Sequence, residues 1–130
     1  MRVVLVEPGK EAREAEIGED LVSMQRVVGG YIETCCPFKD PDVLIVCNEE
    51  GKINGMSPNR ALYAEDGRVA DIMFGPFFVC GSKGEDFASL NDDQLEQYRE
   101  LFRFPERFRI GRDRIEVSAY VPGGIEDRSR

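Results

Sequence analysis

Asn54, Asn59 and Arg60 are the side chains of this sequence best equipped to touch a ligand. Carboxamides read bases, sugars and peptide groups, and a guanidinium grips phosphate or carboxylate with two parallel donors. All three fall in Asn48-Glu49-Glu50-Gly51-Lys52-Ile53-Asn54-Gly55-Met56-Ser57-Pro58-Asn59-Arg60, a polar stretch set between two apolar runs. Long polar loops in small domains either carry function or stay disordered. Turn chemistry competes with that reading, because Asn and Gly tolerate left-handed backbone and Asn48 to Gly51 make a natural hairpin turn. Turns explain the glycines and Asn48 but not Asn54, Asn59 and Arg60. The candidate ligand- or partner-binding set is therefore Asn48, Asn54, Asn59 and Arg60.

A second constellation lies at residues 99–114, where arginines interleave with Phe102, Phe104 and Phe108. Such a pattern can track a phosphate backbone while stacking bases. Glu100, Glu106 and Asp113 dilute its field, and nucleic-acid binding calls for an overall basic footprint. The favoured reading makes the phenylalanines core anchors and pairs the arginines with an acidic body. The acid pairs Glu49-Glu50, Glu65-Asp66, Glu85-Asp86 and Asp92-Asp93 lack EF-hand spacing and read as solvated turns and helix starts. Gly81-Ser82-Lys83-Gly84 lacks the spacing of a phosphate loop. Cys35, Cys36, Cys47 and Cys80 show no C-x₂-C pairing for zinc and sit in apolar runs, where free cysteines behave as small hydrophobes. No metal or cofactor is expected.

The chain has no histidine. That removes the commonest general base, the Ser-His and Cys-His pairs, and the commonest metal ligand. With no nucleophile–base motif either, no catalytic residue is assigned and a non-enzymatic role is expected. The net charge is −8, unevenly placed: residues 1–98 carry 19 acids and 9 bases, residues 99–130 carry 8 arginines and 6 acids. Such an acidic balance favours solubility, and it also repels nucleic acid and attracts basic partners. The longest apolar run, residues 43–47, spans five residues against the roughly 18 that a membrane helix needs. The apolar run at residues 3–6 is too short for a signal peptide and meets Glu7, so a cytoplasmic location is expected.

The elements that position these residues follow from periodicity. Residues 2–7 read as a strand that stops at Pro8-Gly9, with residues 12–17 returning beside it. Glu19-Asp20 open a helix whose stripe is Leu21, Met24, Val27 and Val28, and Gly29-Gly30 end it. Residues 31–36 and 42–47 are further strands, the second apolar enough to be buried on both faces. Residues 60–64 and 68–74 flank an Asp66-Gly67 turn, and Gly75-Pro76 suggests a bulge or edge before residues 76–80. Asn91 and Gln94 form a capping box for a helix carrying Leu95, Tyr98, Leu101 and Phe102, which ends before Pro105. Residues 115–121 alternate as a half-buried strand, and residues 125–130 read as a frayed tail.

Hairpin turns joining strands, with two helices, predict a single α+β domain: a mostly antiparallel or mixed sheet with both helices packed on one face. A β-grasp-like core with a C-terminal extension is the alternative. Residues 1–98 would be the core and residues 99–124 an Arg/Phe-rich extension.

The segments M-R-V-V-L-V-E-P-G-K, V-G-G-Y-I-E, N-E-E-G-K-I-N-G-M-S-P-N-R-A-L and D-I-M-F-G-P-F-F-V-C-G resemble domain of unknown function 3846, small proteins of gut Firmicutes, conjugative elements and phages. The resemblance covers about residues 1–98 and is most specific in the loop. Met56-Ser57-Pro58 departs from the family's Leu-Pro-Leu type of sequence, and Gly75-Pro76-Phe77-Phe78 from its usual Gly-Thr-Phe-Phe. It implies a mobile-element setting and no particular activity. The expected function is an accessory or binding protein acting on a protein partner. The alternatives are a small nucleotide-binding or hydrolysing domain using Arg60 and, more weakly, nucleic-acid binding through residues 99–114.

Overall fold

The computed structural model describes residues 1–123; the expected tail, residues 125–130, lies outside them. The chain opens with β1 (Arg2–Val6) and β2 (Arg13–Glu16), an antiparallel pair. Next comes α1 (Leu21–Val28), started by Asp20, whose carboxylate accepts the Ser23 N–H at 3.1 Å. Gly29 ends it at φ 80°, a left-handed conformation that suits glycine. β3 (Ile32–Cys35) and β4 (Val43–Asn48) follow, then β5 (Pro58–Tyr63), β6 (Val69–Phe74), β7 (Phe77–Lys83) and β8 (Asp86–Ala88). The expected capping box of Asn91 and Gln94 starts α2 (Asp92–Leu101), and the described chain ends with β9 (Glu106–Ile110) and β10 (Ile115–Ala119).

The main sheet runs β2-β1-β7-β4-β3, with β8 added beside β7. β5–β6 and β9–β10 form two separate hairpin sheets. Among the described residues every strand pairing is antiparallel, which confirms the α+β class and leaves the β-grasp alternative without its parallel central pair. β4 lies between β7 and β3 with five of its six residues buried, as its unbroken apolar run requires.

The two helices do not share a face. Val3, Leu5, Val46, Phe78 and Cys80 point to one side and pack with Met24 and Val28 of α1. Val4, Val6, Ile45, Phe77 and Val79 point to the other and pack with Leu95 and Tyr98 of α2 and with Phe102 just after it. The physical reason is the composition of β1, β4 and β7. Consecutive apolar residues present hydrophobic side chains to both faces, and each face needs a cover. Part of the α2 side is covered by the β5–β6 hairpin, through Met73 and Leu62.

Gly75-Pro76 is neither a bulge nor an edge within one strand. It carries the chain from one sheet to another, with Gly75 at φ 79° and no room for a Cβ beside Met56. The Arg/Phe-rich segment begins in the last turn of α2 and continues as a strand hairpin. Phe102 caps α2, and residues 106–110 form β9 paired with β10. β9–β10 alternates Phe108, Ile110, Ile115 and Val117 with Arg107, Arg109, Glu116 and Ser118, a period of two that selects strand.

The cysteines are free. Burial pushes Cys47 and Cys80 up to about 12 and Cys35 up to about 11. These three are protonated at neutral pH, while Cys36 is exposed. A disulfide-exchange reagent at neutral pH is therefore expected to titrate one thiol rapidly, Cys36, and to reach Cys47 and Cys80 only on unfolding. Three or more fast thiols in the native chain would contradict the burial of β4 and β7.

Candidate functional site

The residues singled out by type are split between the interior and the surface. β5 runs beneath the C-terminal end of α2, and this places Asn59 and Arg60 inside the protein, each 1% exposed. The Asn59 amide donates to the carbonyls of Val6 at 3.0 Å and Gly75 at 2.8 Å. Arg60 Nε donates to the Phe102 carbonyl at 3.0 Å and Nη2 to the Lys10 carbonyl at 2.6 Å. Its Nη1 donates to the Asn59 carbonyl at 3.2 Å and to Asn59 Oδ1 at 2.9 Å. One guanidinium thus ties β5 to the β1–β2 turn and to the end of α2, where a cation also suits the helix dipole. Asn48 is buried too: its amide donates to the Val28 carbonyl at the end of α1, and its Oδ1 accepts from the Glu50 N–H at 2.7 Å. Of the candidate set only Asn54 is exposed, at the loop tip.

Glu106 was not singled out by its position in the sequence, yet it completes this interior network. Its carboxylate accepts the Ala61 N–H at 2.8 Å. Burial raises its pKa, opposed by that hydrogen bond and by Arg60. Burial likewise lowers the pKa of Arg60, opposed by Glu106, although an arginine keeps its proton in any protein setting. The signal available in sequence was a lone acid at the head of an arginine-rich strand.

What the loop presents outward is a groove. Glu33, Cys47, residues 48–53 and residues 71–74 line a cavity of about 260 Å³ between the sheet and β6. Met73 and Cys47 lie in its floor, and Glu33, Glu49, Glu50 and Asp71 supply carboxylates. Lys52 is the single base in the lining, and its Nζ is bound to Asp71 at 3.0 Å. The loop itself is compact, with Asn54 N–H donating to Glu50 and Met56 N–H to Gly51. Gly51 lies so close to the Phe74 carbonyl that a Cβ there would come within 2.7 Å of it. Among the described residues no nucleophile–base pair faces this groove, and no group of three or more His, Cys, Asp or Glu is placed to hold a metal ion. The arrangement suits cationic side chains and peptide groups.

The arginines of residues 99–114 are largely engaged. Arg109 and Arg114 pair with Glu116, Arg103 with Glu11 and Glu100, and the Arg107 guanidinium lies 4.2 Å from the Tyr120 ring centroid. Phe102 is buried, whereas Phe104 and Phe108 are half-buried.

A family model described as a domain of unknown function (DUF3846) matches residues 1–103, ending just before β9. No curated protein and no solved structure matches the chain.

Replacing Arg60 with methionine leaves the Lys10 and Phe102 carbonyls without its donors and removes the positive charge that favours ionised Glu106. The expected loss is about 1–3 kcal/mol for each buried acceptor left unpaired. Arg60→Lys is also destabilising, since one ammonium cannot span carbonyls on three elements. Urea unfolding midpoints check both, and unchanged midpoints would contradict the network. Glu106 adds a pH signature. Because its folded pKa is raised, the stability it contributes is full below its ordinary value of 4.5 and is lost as the pH rises through the raised value. Relative to Glu106→Gln, the native chain is expected to lose stability as the pH climbs from 4.5 toward neutrality. The opposite slope would show that Glu106 is ionised more readily in the folded state.

Proposed function

As the chain belongs to the domain of unknown function 3846 family, whose description assigns no activity, we propose that it is a non-catalytic accessory protein that binds a protein partner through the groove beside residues 48–53. The observation that carries this reading is the groove's lining: an apolar floor, four carboxylates and one lysine already paired. Electrostatic complementarity of this kind selects partners and speeds their encounter. A basic segment of a partner is the chemistry it favours. We further propose a cytoplasmic location and a mobile-element setting. No helix among the described residues is long and apolar enough to cross a membrane.

The two alternatives have less support. A small-nucleotide site would need Arg60 at the surface, and its guanidinium is spent on carbonyls. Nucleic-acid binding through residues 99–114 would need arginines with open fields, and several of these pair with Glu116, Glu11 and Glu100.

The test is binding of two labelled twelve-residue peptide pools, identical except that one carries lysine where the other carries glutamate. Fluorescence anisotropy at low salt is expected to detect the lysine pool alone. The Glu49→Lys/Glu50→Lys variant, exposed on both counts, is expected to weaken it at least tenfold. Indifference to this charge reversal, or a thermal shift with nucleotides and no peptide binding, would overturn the proposal.

A further inference from the structure

The edge of β6 gives the partner a conformation as well as a charge. β5 and β6 form a two-stranded sheet, and such a ribbon is marginal on its own. Ala61 and Ile72 face each other in the register with their backbone groups turned outward, away from one another. On the β5 side, the Ala61 N–H is taken by Glu106 of β9. On the β6 side, among the described residues, no strand pairs, and that edge faces the groove.

The outward N–H of Ile72 is met by the carboxylate of its own neighbour, Asp71, at 2.8 Å. Lys52 holds that carboxylate from the loop at 3.0 Å. An oxygen of Asp71 therefore stands where the carbonyl of an added strand would stand. Beyond Phe74 the edge is closed by the close approach of Gly51, which leaves the part of β6 up to Ile72 accessible. Charged side chains on an open edge are also how proteins keep unwanted strands away. Here the guard is a side chain that can rotate off, over a groove with room beside it.

Resting on the groove reading above, we infer that the partner segment binds as an added antiparallel or parallel strand on β6, displacing the Asp71 carboxylate from the Ile72 N–H. Strand addition draws affinity from main-chain hydrogen bonds and specificity from alternate side chains. Side chains on one face of such a strand meet both Asp71 and Met73, which lie two residues apart on β6, and basic ones also find Glu33, Glu49 and Glu50 in the groove lining. The recognised class is an extended segment that carries both basic and apolar residues.

The experiment uses the full wild-type chain and two eight-residue peptides of alternating lysine and valine. One is unmodified; the other has N-methyl groups on its four central peptide nitrogens, which removes strand donors on both edges and keeps the charge. The unmodified peptide is expected to bind at least tenfold more tightly and to slow hydrogen exchange at the Ile72 amide. Equal binding of both peptides with unchanged Ile72 exchange would overturn strand addition while leaving the groove reading in place. Absence of binding by either peptide at low salt would overturn both.

Discussion

The buried guanidinium of Arg60 is the constraint on which the rest of this structure depends. A charge in the interior is tolerated only when its donors are met, and here carbonyls from the β1–β2 turn, β5 and the end of α2 meet them. Those three places are distant in sequence, and no single apolar contact would fix their relative positions with the directionality of these bonds. Asn59 extends the same staple to Val6 and to Gly75, where the chain leaves one sheet for another. Glu106 then ties the C-terminal hairpin to the edge of β5.

This constraint reassigns the polar loop. Its asparagines and arginine are read naturally as ligand groups, since side chains of that kind rarely enter a core. Three of the four instead satisfy backbone carbonyls that loop geometry would otherwise leave unpaired, which is the obligation of any buried polar group. With them turned inward, the loop shows to solvent Glu49, Glu50 and Lys52 together with Ile53 and Asn54. A site reading therefore moves from the amides to the groove they support.

Local signals in the sequence were legible where one residue decides the outcome. Asp20, Gly29, the Asn91–Gln94 box and the Asp66-Gly67 turn all act within a few residues, so spacing alone located them. The buried β4 was legible from its apolar run, and that same run already demanded cover on both faces. β1 and β7 are equally apolar, and together with β4 they require one helix on each face instead of both on one. The inward direction of Arg60 was not legible, because its partners are main-chain carbonyls set by tertiary structure and carry no residue type. The strand at residues 106–110 was obscured for a related reason: arginines alternating with Phe108 and Ile110 have a period of two, but five residues beside a helix end are too few to separate it from a loop.

The most direct measurement of this account is hydrogen exchange at the Nε proton of Arg60 in the native chain, followed by nitrogen-15 NMR. Bound to the Phe102 carbonyl and shut from solvent, that proton is expected to exchange only through unfolding of the whole domain, far more slowly than the Nε proton of exposed Arg68. It is also expected to keep its chemical shift when nucleotides are added. Exchange as fast as that of Arg68, or a shift that follows added nucleotide, would put Arg60 at the surface and contradict the account.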